Sequence, residues 1–179
     1  MLGLAAQWLG VNQTQANSVA PILISEEQGR HKSTFCRMLM PPQLARYYSD
    51  NLKLTAQGNP ERLLAEMGLL NMDEFDKFGA QKMPLLKNLM QMSSLNICKA
   101  YQKNFRSLPR IASFIGTSNR TDLLCDPTGS RRFICIEAEH DIDCTGIEHS
   151  QIYAQLKEEL LAGARHWFNK EEEHALQRH

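Results

Sequence analysis

The stretch SEEQGRHKST, residues 25–34, places a lysine and two hydroxyl residues just after the apolar run Ile22-Leu23-Ile24. A Lys-Ser pair that opens a helix directly after a buried strand is the heart of a phosphate-binding loop. Backbone N–H groups and the helix N-terminus attract phosphate oxygens. Lys32 would reach the outer phosphates, and Ser33 would offer a hydroxyl to magnesium. The full pattern is Gly-x-x-x-x-Gly-Lys-Ser/Thr. Glu26 and His31 stand at its two glycine positions, with Gly29 between them. Glycine admits strained dihedrals and close approach of phosphate. A side chain at residue 31 is therefore expected to crowd the site, and Glu26 to add negative charge beside an anion. On the loop alone, phosphate binding and a plain solvated strand-to-helix loop weigh about equally.

Three further groups follow in order. GLLNMDEFDKF, residues 68–78, sets two carboxylates at the end of an apolar run. In a nucleotide hydrolase Asp73 would hold magnesium through water, and Glu74 would orient or deprotonate the attacking water. The bland alternative is a solvated turn, with Asp76 as a surface or supporting carboxylate. FIGTSN, residues 114–119, ends another apolar run in an amide. Asn119 would position the attacking water without repelling it, or else simply cap a turn. DPTGSRRF, residues 126–133, puts Arg131 and Arg132 before the last apolar run. Guanidinium groups suit phosphate clamping, and one of them is a candidate arginine finger for a neighbouring subunit's nucleotide. A structural salt bridge is the competing reading. Between these groups lies ICKAYQKNFRSLPR, residues 97–110, with Lys99, Lys103, Arg106 and Arg110, interleaved Tyr101 and Phe105, and no acidic residue. Basic charge with aromatics fits single-stranded nucleic acid, through phosphate attraction and base stacking. A solvated hairpin with two core aromatics fits equally well.

The elements that must position these residues alternate in type. Residues 1–20 read as a short amphipathic helix followed by the polar linker NQTQANS, and the spacing of Phe35, Met38 and Leu39 predicts a second helix over 32–40, stopped by Pro41-Pro42. Tyr47-Tyr48-Ser49 is a candidate strand. Pro60 opens a helix through Met67, and Leu69 to Met72 is a buried strand. Met83 to Ser93 is helical, Ala112 to Ile115 and Phe133 to Ile136 are strands, and Ile152, Leu156, Leu160 and Ala164 mark a closing amphipathic helix. Strands alternating with helices predict an α/β domain with a mostly parallel sheet and flanking helices. Ligands then sit beyond the carboxyl ends of the strands. Polar residues do follow three runs directly there: Ser25 onward, Asp73-Glu74 and Thr117-Ser118-Asn119.

Length and composition agree. A chain of 179 residues, 42% hydrophobic, with 20 Lys+Arg against 20 Asp+Glu, predicts one domain with a real core. The balance excludes a polybasic or acidic tail. No run approaches the ~20 apolar residues of a membrane helix. The five cysteines show no paired spacing, so reduced thiols and a cytoplasmic location are expected. Cys125, Cys135, His140, Cys144 and His149 do not match a zinc pattern either. The boundaries read as an N-terminal helix and linker over 1–20, the main domain over 21–168 and a polar tail over 169–179.

With four signals in one order, the sequence resembles the P-loop domain of the virulence-associated protein E family, which is similar to superfamily 3 helicases and phage-type primase-helicases. ILISEEQGRHKSTF, LLNMDEFDKF, LPRIASFIGTSN and DPTGSRRF carry the match, across about residues 20–165. The resemblance implies a P-loop NTPase fold of the ring-helicase type, within a longer chain that has a primase-like region upstream. It implies ATP and Mg2+ as cofactors, with Gln28, Gly29, Arg30, His31, Lys32, Ser33 and Thr34 around the nucleotide. It implies Ser33 and Asp73 for the metal, and Glu74 and Asn119 for the attacking water. Arg131 or Arg132 becomes a trans-acting finger in a homo-oligomeric ring. Lys99, Tyr101, Lys103 and Arg106 become DNA contacts. The alternative is a decayed module that keeps the fold and binds DNA or a replication protein without ATP turnover. A small-molecule phosphotransferase on the same fold ranks third.

Overall fold

The computed structural model describes residues 1–11, 16–98, 105–120, 132–169, 171, 172 and 175. Helix α1 (Leu2–Leu9) precedes strand β1 (Ala20–Ile24) and helix α2 (Lys32–Met38). Then come β2 (Tyr48–Ser49), α3 (Pro60–Glu66), β3 (Leu69–Met72) and α4 (Met83–Gln91). Strands β4 (Ser94–Cys98) and β5 (Phe105–Pro109) form a separate antiparallel hairpin. Strand β6 (Ser113–Ser118), strand β7 (Phe133–Glu137) and helix α5 (His149–Leu161) close the order.

The main sheet has five strands in the order β2-β3-β6-β1-β7, and every pairing is parallel. The α/β fold expected from the sequence, a parallel sheet flanked by helices in the manner of P-loop NTPases, is the one observed. Strand side chains alternate between faces, and here both faces are buried. Ala20, Ile22, Ile24, Leu70, Met72 and Phe114 join Leu64 of α3 and Leu86, Leu89 and Met90 of α4 in one core. Leu23, Leu69 and Ile115 join Leu4, Cys36 and Met40 in the other. Helix α1 packs on α5 through Ala5, Ala6, Leu156 and Leu160. Trp8 stacks on Tyr153, with ring centroids 5.6 Å apart, and donates to the Gly68 carbonyl.

The phosphate-loop helix is shorter than its apolar spacing predicted: it ends at Met38, and Met40 packs from the turn before Pro41. Helix α5 secures that end. His149 Nε2 lies 2.6 Å from the Met38 carbonyl, and the Tyr153 hydroxyl donates to the Leu39 carbonyl at 2.7 Å. Helix α4 likewise stops early, because Ser94 already pairs with Pro109 in the hairpin.

Arg110 corrects the reading of residues 97–110. It belongs to that basic stretch, yet it is only 1% exposed. Its guanidinium donates to the carbonyls of Ala112, Met90 and Asn17, with longer contacts to Leu89 and Met92. These are the unpaired carbonyls at the end of α4 and the approach to β1. Burial lowers its pKa to about 10. A fork of five N–H donors can join three segments this way, where a lysine would act only as a point charge.

Candidate functional site

Strand order builds the site. β6 lies between β1 and β3, and the register sets Ile24 beside Ser118 and Met72 beside Gly116. The residues that leave the carboxyl ends of β1, β6 and β3 therefore emerge side by side. Gly116 permits this closeness: a Cβ there would lie 2.6 Å from Ile22 Cδ1 and 3.2 Å from the Met72 carbonyl oxygen.

The loop after β1 folds around Lys32, which is 7% exposed. Its Nζ donates to Ser25 Oγ at 2.6 Å and Asn119 Oδ1 at 2.9 Å, with longer contacts to the carbonyls of Glu27 and Ser25. Burial, and then the nearby Arg30 charge, lower the lysine's pKa from its ordinary value; Asp73 opposes them. Beside it, Ser33 Oγ donates to Asp73 Oδ1 at 2.7 Å. Thr117 Oγ1 donates to the same oxygen at 2.5 Å and accepts from the Glu74 backbone N–H at 3.3 Å. Ser118 Oγ donates to Asp76 Oδ1 at 2.8 Å, so Asp76 is tied to the end of β6.

The two glycine replacements have different consequences. Glu26 is exposed, and its φ is not positive. His31 does adopt the left-handed region, at φ 58° and ψ 20°, and it is exposed. Gly29 has φ 89°, and nothing lies within 4 Å of where its Cβ would be. Gln28 and Thr34 are exposed on the loop and on α2. Arg30 pairs with Glu27 at 2.9 Å and donates to the Ala138 carbonyl at 2.8 Å, tying the loop to the segment after β7. Glu74 is also left-handed, at φ 51°, and its carboxylate meets Lys77 Nζ at 2.6 Å. A glutamate in this region is a sparsely populated conformation of the kind that clusters at functional sites.

Lys32, Ser33, Asp73, Glu74 and Asn119 thus come together. Arg132 does not join them within the chain. Its carbonyl accepts from Ala20 N–H at the amino-terminal end of β1 and β7, a strand length of roughly 13 Å from the loop. Arg106 is exposed on β5. Lys99, Tyr101, Lys103 and Arg131 lie outside the described residues. Ser25 and Thr117 were missed as site residues. The available signal was their place: hydroxyls at the ends of otherwise apolar strands.

A hydroxyl beside a carboxylate is a hard oxygen donor set that fits magnesium. Among the described residues there is no cluster of three or more His, Cys, Asp or Glu side chains able to cage a metal. Magnesium seldom needs one, because it keeps waters and takes phosphate oxygens. No helix among the described residues is long and apolar enough to cross a membrane.

Comparison with known proteins bears on the family and the fold. The family model for the virulence-associated protein E-like domain matches residues 10–179. Among solved structures, the apo C-terminal region of NrS-1 (305–718) is similar over 98% of this chain at 21% identity, with a TM-score of 0.53. The A form of the same apo region aligns over 98% of this chain at 20% identity, with a TM-score of 0.51. This chain spans 46% and 37% of those two structures respectively, and at such identity the likeness concerns the fold. No curated protein matches the chain.

Proposed function

The chain belongs to the virulence-associated protein E-like domain family, and from that premise we propose that it is a helicase-like ATPase domain of a phage-type, mobile-element replication protein. It hydrolyses ATP with magnesium and acts on single-stranded DNA as one subunit of a homo-oligomeric ring. The observation that supports this reading is the convergence, at three adjacent strand ends, of Lys32 with Asn119 and of Ser33 with Asp73.

Each residue then has a task. Lys32 leaves the Ser25 and Glu27 oxygens for the phosphates, and Gln28, Gly29, Arg30 and His31 wrap them with backbone. Ser33 and Asp73 hold magnesium, with Thr34 beside them. Magnesium, when bound, neutralises charge on the outer phosphates. Glu74 turns from Lys77 to take a proton from the attacking water, and Asn119 orients that water. Arg131 or Arg132 reaches a neighbouring subunit's nucleotide, consistent with the distance of Arg132 from its own loop. Lys99, Tyr101, Lys103 and Arg106 contact DNA through phosphates and stacking.

Titrating Mg-ATP into the protein by calorimetry, with Lys32→Ala beside it, tests binding: saturable heat that vanishes in the variant is expected. Glu74→Gln should keep that binding while DNA-stimulated turnover falls about 100-fold or more, the range for a lost general base. Equal turnover in both proteins would sink the assignment.

One observation favours a second reading. Lys32 is already held by oxygens of its own loop, as expected of a decayed module that binds DNA or a replication protein without ATP. That module would show salt-dependent DNA binding and no saturable Mg-ATP binding even in the full-length assembly.

A further inference from the structure

We propose that Thr117 is a positioning residue that sets the magnesium-facing geometry of both acidic residues, an inference that rests on the function proposed above. Thr117 is 3% exposed near the end of the central strand β6. A buried hydroxyl must find partners or bear a desolvation cost. Its hydrogen goes to Asp73 Oδ1, and its oxygen accepts the N–H of Glu74. One side chain thereby fixes the carboxylate of the first acid and the backbone of the second. Packing does not require it, because valine would fill the same space.

The consequence falls on Asp73. Its Oδ1 receives two hydroxyl bonds, from Ser33 and Thr117. These two bonds hold the carboxylate at one oxygen and fix its orientation between α2 and β6. Asp73 is exposed, so without Thr117 only Ser33 would restrain it, and Ser33 is the residue that must also serve the metal. The neighbouring Ser118–Asp76 bond ties the far end of the same acidic turn to β6.

The test compares ATP affinity in magnesium with ATP affinity in EDTA, by calorimetry, for the wild type, Thr117→Val and Thr117→Ser. The ratio isolates the metal's contribution, which a general loss of stability does not move. Thr117→Val should shrink the ratio about five- to tenfold, the scale of one ordinary hydrogen bond, with EDTA-state affinity nearly unchanged. Thr117→Ser should restore it. If Thr117→Val does not fold, Thr117→Ala takes its place. A wild-type ratio in the folded hydroxyl-free variant, or a serine variant that behaves like it, overturns the inference while the ATPase reading stands. A wild type that binds no Mg-ATP overturns that reading, and this inference falls with it.

Discussion

His31, directly before Lys32, turns the chain into the left-handed region. Left-handed backbone costs an ordinary residue about 1–2 kcal/mol, and histidine visits it more readily than most. Because His31 is exposed, no packing opposes the turn and its conformational cost lies in the backbone. His31→Gly should raise the unfolding free energy by about 0.5–1 kcal/mol, the strain relieved less the added freedom of the unfolded chain. Urea unfolding reads that directly. Mg-ATP affinity should stay within about threefold; a tenfold gain would mean that the imidazole obstructs the loop after all. Glu74 makes the same point differently. Its type and place were readable beside Asp73, but its left-handed turn and its ion pair with Lys77 are set by the packing of the 73–78 segment under β6.

At the scale of elements, β6 organises the site. It runs between the loop strand and the acidic strand, and its last two residues and the one that follows each bind one part: Thr117 to Asp73, Ser118 to Asp76, Asn119 to Lys32. The hairpin that precedes it is anchored by Arg110, which joins β5 to the end of α4 and to Asn17. Arg110→Met keeps much of the volume and strips the donors from several buried carbonyls. Leaving such groups unpaired costs roughly 1–3 kcal/mol each, so a loss of at least about 3 kcal/mol is expected in chemical unfolding. A loss under 1 kcal/mol would show that water replaces the clamp. The sequence placed Arg110 in a basic stretch, and nothing local distinguishes it from Arg106; only the folding of α4 and Asn17 over it makes one buried and the other exposed.

For the whole molecule, the sheet separates two chemistries. Its carboxyl edge carries Lys32, Asp73 and Asn119, and its amino edge carries Arg132. The proposed ring would let that arginine serve the nucleotide of a neighbouring subunit. In a ring, Glu74→Gln and the double variant Arg131→Ala with Arg132→Ala should each lose turnover. Mixed in the full-length assembly, they should recover part of it, because some interfaces then pair an intact glutamate with intact arginines. No recovery, with mixed assembly verified by sedimentation, would remove the trans-acting finger.

The sequence alone determined what depends on near neighbours: apolar runs at strand and helix periods, the alternation that demands a parallel sheet, and polar residues directly beyond each strand. Its spacing also carried the family resemblance that the match over residues 10–179 bears out. Tertiary structure decided what depends on pairing between distant segments. The order β2-β3-β6-β1-β7 brings Asn119 between the loop and the acidic pair, although Asn119 lies 87 residues from Lys32 in the chain. Burial turned Thr117 and Ser25 from strand-end hydroxyls into ligands of their neighbours, and turned Arg110 inward. The reason is that a polar group's role follows from which partners remain when water is excluded, and that exclusion exists only once the strands have paired.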